Sequence, residues 1–162
     1  MRRILETVSL AALALIVWTT GRALAGPHRV PSRIPTHFDF AGHPNGWGTP
    51  AMLLLLPIMA GALYGLVTWA SRYPEAFNFP VRVTPANRLR LEALALNMTA
   101  WLKAEVICLF TWMQITAIQA ARSGRVTLSP VLMPISLGII FGTIIAHVVA
   151  MRRAAPPRRP NR

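Results

Sequence analysis

PAMLLLLPIMAGALYGLVTWA, residues Pro50 to Ala70, is a run of 21 positions without a charged side chain. A helix rising 1.5 Å per residue over that length crosses the ~30 Å hydrocarbon core of a bilayer. In water it would leave apolar surface on every side, so this stretch makes the chain a membrane protein. Trp69 and Arg72 close the run, as aromatic and basic residues do where a span meets the headgroups. Three other segments have the same character, at about residues 8–25, 104–121 and 130–151. The expected fold is therefore an all-α integral membrane protein with four transmembrane helices. Residues 1–151 form a single domain and 152–162 a basic tail.

Composition agrees, with 54% hydrophobic residues and 14% charged ones among 162. A net charge of +12 raises the question of nucleic acid, but the basic residues cluster at the ends of apolar runs and form no patch on a soluble face. No nucleic-acid partner is expected; the bilayer itself is. Cys108 is alone inside an apolar run, so there is no disulfide framework and no thiolate metal site, and a buried structural role is expected.

Met1-Arg2-Arg3 precedes the first span, with Glu6 at its cytoplasmic end. The basic start and Ala23-Leu24-Ala25 before Gly26 also fit a secretory signal. Thr19, Thr20, Gly21 and Arg22 interpose polar residues at the point of hand-over and argue against cleavage. The segment 71–90 is a polar cytoplasmic loop, in which Thr84-Pro85 supplies an N-cap and a first-turn proline. From there no helix breaker occurs before Ser123-Gly124, giving a helix of about 38 residues that projects beyond the bilayer. Eleven arginines fall on the side of the two termini and five on the other. The positive-inside rule thus places both termini in the cytoplasm of a bacterial inner-membrane protein.

Gly61 and Gly65 follow Pro57 on one face of the second span; Gly138 and Gly142 follow Pro134 on one face of the last, at a constant offset of 77. Small residues at that spacing are a helix-packing surface, within the chain or in a homodimer or with another membrane protein. The offset suggests two helical hairpins. Lys103 and Glu105 are intramembrane polar candidates. They point about 160° apart on one helix, so they do not pair with each other, and near the cytoplasmic end they can snorkel to the interface.

The loop 26–49 joins the first two spans on the outside. Its prolines and glycines exclude a helix and force turns. Asp39 and Asn45 are turn formers that cap their own backbone, and Phe38, Phe40 and Trp47 are expected to fold back on the membrane interface. His37, Asp39 and His43, with His28 upstream, are the nearest approach to a metal set. Their spacing matches no zinc signature, so turn capping is favoured and no cofactor is expected. No phosphate loop, nucleophile–base arrangement or paired carboxylates occur, and no enzyme is expected.

From Pro31 to Gly48 the loop resembles the Pro-x-x-Ile-Pro-x-His-Phe/Trp-Asx-x-x-Gly-x-Pro-x-x-Trp/Tyr-Gly loop of a bacterial membrane domain of unknown function, found alone and at the N-terminal end of SdpI-type immunity and signalling proteins. The matching positions are Pro35, His37, Phe38, Asp39, Gly42, Pro44, Trp47 and Gly48; Asn45 and Thr49 stand where Asp and Lys are more usual. The likeness covers roughly residues 8–75. It implies a membrane binding or sensing protein whose outer loop meets an envelope peptide, lipid or protein. A small transporter is the alternative, and a metal-dependent membrane hydrolase the third reading.

Overall fold

The computed structural model describes residues 1–27, 29–39, 43–123 and 131–155, without the Phe38 side chain. His28, Phe40, Gly42, Gly124 and the tail beyond residue 155 therefore lie outside the described residues. Four helices carry the fold: α1 (Arg2–Ala25), α2 (Leu55–Ala70), α3 (Arg88–Ser123) and α4 (Leu132–Arg153). A 3-10 segment, Pro50–Leu54, leads into α2, and each of the four resulting spans is long and apolar enough to cross a membrane. The chain has the architecture of a multi-pass membrane protein.

α3 is the axis of the bundle. One stripe of it, Lys103, Ile107, Thr111, Gln114, Ile118 and Ala121, is buried at helical spacing. α1 runs parallel to it and buries Leu5, Ser9, Ile16, Thr20 and Ala23. α2 runs the opposite way, with Leu53 and Ala60 buried and Tyr64 and Thr68 continuing the same face. α4 packs chiefly on α3, and among its residues Met151 is buried. Large apolar side chains such as Leu66, Phe141 and Ile145 point outward, each about three-fifths exposed. Four helices with apolar outer faces suit a lipid surround.

The bundle has two capped ends. At one, Ala23, Val30, Ile34, Leu53, Ile118 and Ala121 form a core that joins the loop to three helices. At the other, where Met1 and Ala154 lie, Leu91, Ala95, Met151 and Ala154 pack with Phe77, Phe79 and Val81. The segment 71–90 is thus folded onto the foot of α3 and α4. The expected start of α3 is present as a reciprocal cap. The Asn87 Oδ1 accepts from the Thr84 backbone N–H at 2.7 Å, and Thr84 O accepts from Arg88 N at 3.0 Å. Asn87 Nδ2 also donates to the carbonyls of Arg82, at 3.1 Å, and Ala154, at 3.2 Å, tying the loop to the end of α4.

Three expectations change. The fold is mostly helical rather than all-α, because residues 34–48 form an antiparallel hairpin, β1 (Ile34–Phe38) and β2 (Pro44–Gly48). A two-stranded ribbon has only edge strands, so Pro35 and Pro44 fit without removing ladder bonds that a central strand needs. Gly61, Gly65, Gly138 and Gly142 are not close-approach points within the chain: a Cβ added at any of them would have nothing within 4 Å among the described residues outside its own helix backbone. The faces that do pack are one position away, at Ala60 and Tyr64 on α2. Cys108 is exposed on the outer face of α3 rather than buried.

Candidate functional site

The hairpin is held from below and open above. Ile34 is 1% exposed and Pro35 is buried, while Thr36, His37, Asn45 and Trp47 face outward. Val30 N donates to Ala23 O at 3.0 Å, bringing the chain leaving α1 back onto the helix end. The pairing Ile34↔Gly48, Pro35↔Trp47, His37↔Gly46 and Phe38↔Pro44 contains register shifts on both sides of His37. A β-carbon at Gly46 would stand 2.7 Å from His37 Cβ, so the strands approach too closely there for any side chain. At the tip, Asp39 Oδ1 accepts from His43 N at 2.9 Å and Asp39 N donates to His43 O at 2.9 Å, the self-capping turn expected of an Asx residue. Trp47 is 52% exposed and does not fold back on the helix ends.

His43 Nδ1 lies 3.6 Å from Asp39 Oδ2, both on the exposed tip. Among the described residues no three of His, Cys, Asp and Glu come together in a group able to hold a metal. His37, Asp39 and His43 are therefore not assembled as a ligand set.

A second constellation lies inside the bundle. Lys103 Nζ donates to Glu6 Oε2 at 2.7 Å and to Thr68 Oγ1 at 3.0 Å, and stands 4.5 Å from the centre of the Tyr64 ring. The Tyr64 hydroxyl donates to Glu6 Oε1. The ammonium is thus met by a carboxylate, a hydroxyl and an aromatic face from α1 and α2, and is 5% exposed. Lys103 bolts three helices together. Glu105 points to α4 instead, where its Oε1 accepts from Thr143 Oγ1 at 2.6 Å while its buried Oε2 has no partner. His147 Nδ1 is 2.8 Å from Thr143 O, one turn along α4.

Further up, Gln114 Nε2 donates to Thr20 Oγ1 at 2.7 Å and to Leu53 O at 2.8 Å, and Thr111 Oγ1 donates to Ala12 O at 3.1 Å. Gln114 and Glu6 are the working partners that sequence reasoning missed. The signal available was the shared stripe of Lys103 and Gln114 on α3, which marks the side facing α1 and α2.

These features define a class: a four-helix protein of multi-pass membrane type with a hairpin at one end of the bundle and a polar bolt inside it. Within it, residues 10–61 match the model of a protein family described as a domain of unknown function, DUF1648. The match takes in most of α1, the hairpin and the first half of α2, and stops short of Tyr64, Thr68 and Lys103. No curated protein and no solved structure matches the chain.

Proposed function

We propose that the chain is a non-enzymatic protein of the bacterial cytoplasmic membrane that binds or senses an envelope peptide, lipid or protein through the hairpin. It acts in the manner of the N-terminal domain of SdpI-type proteins. Both termini are cytoplasmic in this reading. Arg2, Arg3, Arg72, Arg82, Arg88, Arg90, Arg152 and Arg153 cluster at the terminal end, against Arg22, Arg29, Arg33 and Arg122 at the hairpin end. The observation that carries the proposal is the hairpin's division of labour. Ile34 and Pro35 anchor it in the bundle, leaving Trp47 and a row of hydrogen-bonding side chains free. A large exposed aromatic on a rigid support is the arrangement that recognition surfaces use.

The test has two parts. On a Cys108→Ser background, single cysteines at Ser32, Thr49 and Ser123 are expected to label from outside intact cells, and those at Ser71 and Ala155 to be protected. A photo-crosslinking residue at Asn45 or Trp47 should then capture an envelope component that the same residue at Leu66 does not. Reversed labelling would end the envelope reading, and identical capture at 47 and 66 would end the hairpin's role.

A transporter is the second reading, favoured by the buried, unpartnered Oε2 of Glu105 within the bundle. It requires that Glu105→Gln abolish a measurable flux in proteoliposomes with the fold intact.

A further inference from the structure

α1 and α3 run in the same direction, so their last turns lie side by side at the hairpin end. Between them is a cleft of about 230 Å³ lined by Trp18, Thr19, Arg22, Ile115, Ile118, Gln119 and Arg122. Arg22 and Arg122, one from each helix, line it. Neither forms an ion pair with a described carboxylate: among the described residues the Arg and Lys ion pairs are Arg88–Glu92 and Lys103–Glu6. Two cations on one small cleft without a counter-charge repel each other and lack an anion.

Position and shape say which anion fits. Both arginines sit in the final turn of an apolar helix, where a span ends and lipid headgroups begin. The Arg22 guanidinium lies 5.2 Å from the centre of the Trp18 ring, which is 58% exposed, and the wall below it is Ile115 and Ile118. The occupant is therefore charged at the headgroup level and apolar one turn deeper. Two planar guanidiniums match the oxygens of a phosphodiester, and the Gln119 amide can donate to a third.

We propose that this cleft is a binding site for an anionic phospholipid, whose phosphate sits between Arg22 and Arg122 and whose glycerol and first methylenes lie against Trp18 and Ile115. The site is independent of what the hairpin recognises and of which leaflet it faces.

The test is native mass spectrometry of the full chain in non-ionic detergent, titrated with phosphatidylglycerol or with phosphatidylcholine of the same acyl chains. An arginine at an anionic surface changes affinity about fivefold, so Arg22→Gln with Arg122→Gln should weaken phosphatidylglycerol binding about 30-fold. Phosphatidylcholine binding should barely change. Arg72→Gln with Arg82→Gln removes equal charge at the other end and should leave the phosphatidylglycerol affinity within about twofold of the unmodified chain's, on additivity of distant sites. Trp18→Ala should weaken both lipids. The proposal is overturned if the unmodified chain binds the two lipids equally, if the control pair weakens binding as much as the cleft pair, or if glycerol phosphate competes at the lipid's own concentration.

Discussion

Replacing Glu6 with glutamine leaves the Lys103 ammonium charged, 5% exposed and held only by Thr68, the Tyr64 ring and a neutral amide. Removing one partner of a buried ion pair costs about 3–5 kcal/mol, because the survivor is a buried charge without compensation. The residual amide contact places Glu6→Gln at the lower end, about 3 kcal/mol. Lys103→Met removes the charge that is buried and keeps most of the stem's packing. The stranded carboxylate is 39% exposed and keeps the Tyr64 hydroxyl, so it can hydrate, and the loss is about 1 kcal/mol. The glutamine variant should therefore be the less stable of the two by about 2 kcal/mol, roughly 30-fold in the unfolding equilibrium. The double variant should recover to about the methionine variant's stability, giving a coupling near 3 kcal/mol. Reversible unfolding in mixed micelles, followed by the fluorescence of the five tryptophans, reads all four species. Equal losses, a worse methionine variant, or simple additivity would refute the reasoning that Lys103 is the buried member and Glu6 its solvated partner.

Gln114→Leu should cost about 1–2 kcal/mol, since it orphans the Leu53 carbonyl at the foot of the hairpin; hydrogen exchange should quicken over residues 50–54 before it does in α4. Gly46→Ala drives a methyl group into His37 Cβ and should destabilise the hairpin by roughly 1–3 kcal/mol, read as loss of protection at the Gly48 amide, which pairs with Ile34. Asn87→Ala removes the cap of α3 and both carbonyl contacts, and should lower stability by about 1–2 kcal/mol while exposing the 77–83 segment to protease. Gly61→Leu and Gly138→Leu project into open space and should destabilise the single chain by no more than about 0.5 kcal/mol; a fall in cross-linked dimer on that background would show a second copy covering those faces.

The four spans were legible because lipid demands about 20 apolar residues each, a constraint that leaves its mark on every position from Pro50 to Ala70. The Thr84 cap was legible for the same kind of reason: it is local, and Thr-Pro followed by Asn87 is enough to specify it. What escaped the sequence was pairing at a distance. Nothing near Lys103 in the sequence marks its partner, which lies 97 positions away on a helix whose apolar run begins after Glu6. The hairpin escaped for a different reason. Its two prolines and two described glycines are turn formers by composition, and alternation over only five residues per strand is too short to outweigh them. The glycine faces were recognisable as close-approach surfaces, but which helix approaches is a property of the assembled bundle.

α1 and α2 share little contact with each other, and both lean on α3, which enters the chain only after residue 87. The order of synthesis therefore matters. When the hairpin and its two flanking helices have left the ribosome, Glu6, Thr68 and Tyr64 still lack their common cation, and Thr20 and the Leu53 carbonyl still lack Gln114. The stretch that matches the family model ends at residue 61, before any of these bonds can close. A chain stopped after Ala70 would lack both α3 side chains, Lys103 and Gln114, that these groups bond in the full chain. The arrival of α3 supplies Lys103 and Gln114 to partners on both flanking segments, which makes its insertion the step that ties the hairpin's foot to the rest of the bundle.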